Sequence, residues 1–172
     1  MTVPVVGIQV FPGDGYMRPL DLGRAVEDRG FVALFFPEHL HMPVDRTIEF
    51  PIPIPLHPHS VAQNLQAQLR SLPDLRRHLG RHQPAHFRDG ISLVAQRDPI
   101  LLAKTIATLD HLCEGKFILG VGTGWNVEEM RNHGVDPGLR WSHVADHVRA
   151  MRTIWTEDMA SYHGHFVNFD RI

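Results

Sequence analysis

Two short apolar runs separated by an amphipathic helix constrain this chain more than any other feature. Val3 to Val10 is short and β-branched, with Val5, Val6, Ile8 and Val10, and Pro12-Gly13-Asp14-Gly15 closes it with turn-forming residues. It reads as a first buried strand. Leu20, Leu22, Ala25 and Val26 then recur at helical spacing, opposite Arg24, Glu27, Asp28 and Arg29. Gly30 stands where a helix takes its left-handed cap. Phe31 to Phe36 is continuously apolar, the pattern of a strand covered on both faces. Strand, helix and strand in this order make a βαβ unit, which dictates parallel pairing and a right-handed crossover.

The rest of the chain repeats that logic with one interruption. From Pro37 to Pro58 the sequence is rich in proline, which neither a helix nor a central strand tolerates, so an extended loop is expected. Residues 62–90 are dominated by Gln and Arg, with Pro73 and Pro84 limiting any helix to short pieces. Ile91 to Ala95 is a strand candidate. Asp98-Pro99 starts a helix, with Asp98 as cap acceptor and Pro99 in the first turn, and Ile100, Ala103, Ile106, Ala107, Leu109 and Leu112 carry it toward Gly115. Phe117 to Val121 is a further strand that stops in Gly120-Val121-Gly122-Thr123-Gly124. Asn126 can cap the helix that follows, and Gly134 ends it. Val144, Val148, Met151, Ile154 and Trp155 mark a longer helix, and Tyr162-His163-Gly164 begins a hairpin. The sum is about four strand–helix units of an α/β protein.

Composition removes whole classes of function. The chain has 172 residues with 17 basic and 19 acidic side chains, so no global field attracts nucleic acid or an anionic membrane. No apolar run reaches the roughly 18 residues of a membrane span, and the amino end lacks a signal-peptide pattern. Cys113 is the single cysteine, which suits a reducing compartment, and a cytoplasmic location is expected.

In α/β folds ligands are held at the carboxyl ends of strands. Two stretches fall there. Glu38-His39-Leu40-His41 follows the second strand, and histidine can take or give a proton near neutral pH. Gly122-Thr123-Gly124-Trp125 follows the fourth, where an indole offers a flat wall to a planar ring or simply packs over the strand end. A dinucleotide fingerprint fails, because Trp125 stands where its third glycine belongs. His78, His82 and His86 recur every four residues, but Pro84 breaks the helix that would align them as metal ligands, and no metal site is expected. His57 and His59 carry no better case. No serine has a G-x-S-x-G setting, and nothing cationic adjoins Cys113 to activate it.

Together these residues resemble the luciferase-like monooxygenase superfamily, in its branch of flavin- or deazaflavin-dependent oxidoreductases using coenzyme F-420. The resemblance rests on Phe36-Pro37-Glu38-His39, on Gly90-Ile91-Ser92-Leu93 leading into Arg97-Asp98-Pro99-Ile100-Leu101-Leu102-Ala103-Lys104, and on Gly120 to Asn126. Ala107-Thr108-Leu109-Asp110, Gly115-Lys116-Phe117, Asn132-His133-Gly134 and Tyr162-His163-Gly164 extend it.

The resemblance implies an α/β fold, a partial (β/α)8 TIM barrel of the bacterial luciferase-like type. It implies His39 as the catalytic residue near the reactive ring, and a cofactor wall made by Glu38, Gly90, Ile91, Gly122, Thr123, Gly124 and Trp125. Gly90 and Ile91 match a third-strand bulge, often a cis peptide. The implied cofactor is F-420, with FMN as the alternative. The implied reaction is hydride transfer between the (deaza)flavin and a small organic substrate, or monooxygenation with FMN. A full barrel of this type takes about 250 residues, so residues 1–172 are expected to be an amino-terminal half, with activity in doubt. The alternative is a non-catalytic remnant or interaction fragment. Unpaired strand edges make a homo-oligomer through the open sheet edge an expected partner state. Residues 60–89 depart from the family composition between matching flanks, the pattern that a local frameshift with later restoration would give.

Overall fold

The computed structural model describes residues 6–10, 17–45, 47 and 87–172. The Pro12–Gly15 turn, most of the proline loop with His57 and His59, and residues 60–86 with the three spaced histidines lie outside the described residues. Two compact units are present.

The first unit carries the sheet, in the order β1 (Gly7–Gln9), β2 (Ala33–Pro37), β3 (Phe87–Ser92) and β4 (Ile118–Val121). β1 pairs with β2 in parallel, Gly7 opposite Ala33, and β2 pairs with β3 in parallel, Leu34 opposite Phe87. Helix α1 (Pro19–Glu27) is the crossover between β1 and β2, and its Val26 is buried. Gly30, at φ +75°, ends it as the sequence predicts. β2 is the central strand: Ala33, Leu34 and Phe36 are all buried, as its continuous apolar run requires.

Two expectations change here. β1 is not the buried strand its β-branched run predicts, and β4 is covered no better: both mix exposed and half-buried residues, and Val6 and Ile118 remain 54% and 43% exposed. Both lie at the ends of the strand order, where only one neighbour covers them. The third strand ends at Ser92 instead of running from Ile91 to Ala95, and Val94–Gln96 form a 3-10 turn. The apolar run there is a buried turn, and burial without a period of two is what made it read as strand.

The second unit holds that turn, most of helix α2 (Pro99–Leu112), then α3 (Val127–Asn132), α4 (Arg140–Thr156) and the hairpin β5 (Tyr162–His163) with β6 (Asn168–Phe169). Asp98 caps α2, its Oδ1 accepting from Leu101 N at 2.8 Å. Asn126 caps α3, accepting from Glu129 N at 2.8 Å. α4 packs on the 3-10 turn and, through Ala150, on the hairpin residues Val167 and Phe169 and on Ala160. The Trp155 indole donates to the Ala103 carbonyl at 3.1 Å, fixing the end of α4 to α2. Ala160 and Ile172 exchange both backbone hydrogen bonds, which extends the hairpin pairing beyond β5 and β6.

Candidate functional site

The register of β2 on β3 decides what the first unit presents. Phe36 lies opposite Asp89 and Pro37 opposite Ile91, so Gly90 is the extra residue of a β-bulge. A Cβ at Gly90 would stand 3.0 Å from Phe35 Cβ and 3.2 Å from the Phe36 carbonyl carbon and oxygen, so glycine lets the strands close here without crowding. The bulge implied for Gly90 and Ile91 is present, but no cis peptide bond occurs among the described residues. Past the bulge, Ile91 is 42% exposed while Ser92 is fully buried. Ser92 Oγ donates to Glu38 Oε2 at 3.2 Å, tying the end of β3 to the residue after β2.

That bond engages Glu38. Its carboxylate is buried and engaged with Ser92, so it supports the strand ends from within, and His39, also buried, is held directly after it. Ser92 is the residue that sequence reasoning missed. Its partner lies 54 positions away, so no local pattern marks it.

The second unit carries the other four candidates. Gly122, Thr123, Gly124 and Trp125 are all half-buried in the loop after β4. Thr123 Oγ1 donates to the Gly124 carbonyl at 3.1 Å. Gly124 has φ +77°, a conformation that L side chains rarely adopt, and a Cβ there would stand 3.1 Å from Leu93 Cδ2 and 3.5 Å from Gln96 Nε2. Thus Glu38, His39, Gly90 and Ile91 belong to one unit and Gly122 to Trp125 to the other.

Gln96 is a second residue that the sequence did not single out. It is buried, yet neither Oε1 nor Nε2 has a hydrogen-bond partner among the described residues.

A different polar cluster lies along α4. Asp146 accepts from Tyr162 Oη at 2.6 Å, Phe166 N at 2.7 Å and Val167 N at 3.2 Å. Burial alone would raise its carboxyl pKa, but these three donors, with the charge of His147, hold it below the usual carboxylate value. Burial and the bond to Asp146 keep the Tyr162 phenol protonated to higher pH than usual. His147 Nδ1 lies 2.9 Å from the His143 carbonyl, which can only accept, so that nitrogen carries the proton. Burial lowers the pKa of both His147 and His143, and the His143 ring stacks on Phe166 with centroids 3.5 Å apart. This cluster is satisfied internally and docks the hairpin on α4. Cys113 is partly buried, and burial, then Asp110, raises its thiol pKa, the opposite of an activated nucleophile. Among the described residues no group of three or more His, Cys, Asp and Glu could hold a metal ion, and no helix is long and apolar enough to cross a membrane.

Comparison with known proteins shows what the chain is similar to. Residues 88–172 match the family model described as luciferase-like monooxygenase. The Mycobacterium tuberculosis protein Rv0953c is 37% identical over 169 residues, which is 95% of this chain and 57% of that protein. The chain therefore spans a little over half the length of this curated relative. Among solved structures, the oxygenating constituent of 3,6-diketocamphane monooxygenase from Pseudomonas putida, a complex with FMN, superposes with a TM-score of 0.71 at 16% identity. It covers 96% of this chain and 43% of that one. The coenzyme F420-dependent tetrahydromethanopterin reductase of Methanopyrus kandleri gives 0.63 at 17% identity, over 96% and 44%. Residues 88–172 are accordingly similar to the luciferase-like monooxygenase family, and the chain shares the fold of part of a (β/α)8 barrel.

Proposed function

We propose that this chain forms the cofactor-facing part of a luciferase-like oxidoreductase that uses F-420, or alternatively FMN, on a small organic substrate. The observation that carries the reading is the bulged end of β3 at Gly90, paired with the end of β2 so that the buried Glu38–Ser92 bond stands next to His39. Bulges re-aim strand ends beside active sites, and in barrel enzymes such ends are where ligands sit.

In this reading Glu38 and Ser92 position the strand ends, and His39 holds or moves a proton at an imidazole nitrogen near the ring. In the second unit, taken by itself, Trp125 beside Gly122, Thr123 and Gly124 offers an apolar wall to a planar ring. When bound, the (deaza)flavin supplies hydride transfer to or from the substrate, or with FMN the oxygenation. FMN accompanies one structural neighbour and F420 names another, so both belong in the test. A cytoplasmic location and correspondence to one half of a longer barrel complete the proposal. The single cysteine supports the first, and the 57% coverage of a relative supports the second.

Titrating F-420 and FMN with the purified chain and following their fluorescence tests the proposal. Saturable quenching by either below about 50 µM supports it. Absence of quenching by both favours the alternative, a non-catalytic interaction fragment, for which the exposed Val6 and Ile118 at the edges of the sheet are the supporting observation. In that case size-exclusion chromatography is expected to show a homo-oligomer.

A further inference from the structure

Docking of the hairpin on α4 leaves a cavity of about 380 Å³ inside the second unit, between one face of the helix and the loop that joins β5 to β6. Leu139, at the N-cap of α4, and then Ser142, Asp146 and Arg149 follow at intervals of three or four positions, so they share that face, and His165 and Phe166 form the opposite wall. The walls are held in place without a ligand. Phe166 N donates to Asp146 at 2.7 Å, and the rings of His143 and His165 pack on the Phe166 ring with centroids 3.5 and 4.5 Å away. Fixed walls leave little ordering cost for a ligand to meet.

The polar groups of the lining differ in what they can still bond. The Asp146 carboxylate already accepts from Tyr162, Phe166 and Val167, so it offers a ligand little. The donors are in the opposite position. Arg149 is exposed, and its bond to the Tyr162 hydroxyl leaves most of its N–H groups available. That hydroxyl bonds Asp146 as well, which places the guanidinium beside residue 146, one helical turn of about 5 Å from the exposed Ser142. Leu139, 45% exposed, and Phe166 set apolar surface next to these donors.

We propose that this cavity binds a small organic carboxylate with an apolar body. Arg149 pairs with the carboxylate, Ser142 adds a hydroxyl donor, and the body lies between Leu139 and Phe166. A guanidinium meets a carboxylate through two parallel N–H bonds, so it holds such a group in a fixed plane. None of these residues is among those proposed to face the cofactor, so this second site stands whether or not a flavin binds.

The test follows the backbone amide NMR shifts of the full chain during titration with three probes. Sodium benzoate carries both the charge and the ring, benzamide keeps the ring without the charge, and inorganic phosphate keeps charge without an apolar body. Benzoate is expected to shift residues 139–149 and 164–167 with a Kd below about 5 mM, and benzamide and phosphate to bind at least about tenfold more weakly. Arg149→Met keeps the side-chain length and removes the charge, and is expected to weaken benzoate about tenfold. Leu139→Asp puts a carboxylate at the lip of the cavity, in a helix N-cap position that accepts it, and is expected to weaken benzoate at least as much. Four results overturn the assignment: no saturable shift at these residues up to about 20 mM benzoate, equal affinity for benzoate and benzamide, phosphate binding as tightly as benzoate, or unchanged benzoate affinity in either variant shown to be folded by its amide spectrum.

Discussion

Asp146 and Gln96 are both buried polar side chains of the second unit, and they are treated in opposite ways. Asp146 receives three hydrogen bonds from the hairpin it docks, whereas Gln96 has none among the described residues. A satisfied network fixes structure, since each member has its partner in place before any ligand arrives. An unsatisfied group is kept only where something else completes it. The contrast assigns the α4–hairpin cluster to stability.

The sharpest way to break this comparison is to remove the satisfied partner. Asp146→Ala strands the Tyr162 hydroxyl and the Phe166 and Val167 N–H groups, and is expected to cost about 3 kcal/mol in urea unfolding. An unchanged midpoint would show that the cluster is ornamental. Gly164→Ala is expected to cost about 1–3 kcal/mol, because the new Cβ would press on the Asp146 carboxylate and come within 2.6 Å of Tyr162 Cε1. Asn126→Ala removes the α3 cap and should cost about 1 kcal/mol. That change lies close to the Gly124 loop, so it should also weaken binding of the ring if the loop must be held in place.

The smallest expected effect is a slope with pH. Burial holds the pKa of His147 and His143 below the ordinary histidine value, with Asp146, Asp98 and His165 as the neighbouring titratable groups. The unfolded chain therefore takes up protons first as pH falls below about 6.5. Stability that is present above that value is lost on acidification, and the melting midpoint should drop between about pH 7 and pH 5. His147→Gln keeps an N–H donor for the His143 carbonyl and should flatten part of that drop. A pH-independent midpoint in wild type would contradict the burial of these rings. Below about pH 4, protonation of Asp146 adds its own loss, since its folded-state pKa lies below the unfolded value.

Much of the fold was legible because the signals are local. The βαβ pattern, the caps Asp98 and Asn126, and the stop at Gly30 each depend on residues within one turn of each other, and all are present. The end of β2 was legible for the same reason: an apolar run that stops at Pro37 delivers Glu38 and His39 to the end of a strand. What depended on distant neighbours was not legible. Asp146 and His147 sit on a helix with no local signal that singles them out, and the partners of Asp146 lie 16 to 21 positions on. Ser92 needed Glu38 across a strand pair, and Gln96 needed the knowledge that Val94–Gln96 is a buried turn instead of a strand. The exposure of β1 and β4 depended on sheet order, which no single strand encodes.

Amide hydrogen exchange with and without saturating F-420 or FMN tests the central claim most directly. The account predicts slower exchange on ligand addition at residues 90–96 and 122–126, with residues 162–169 unchanged. Protection confined to the hairpin, or no protection anywhere with ligand demonstrably bound, would contradict it.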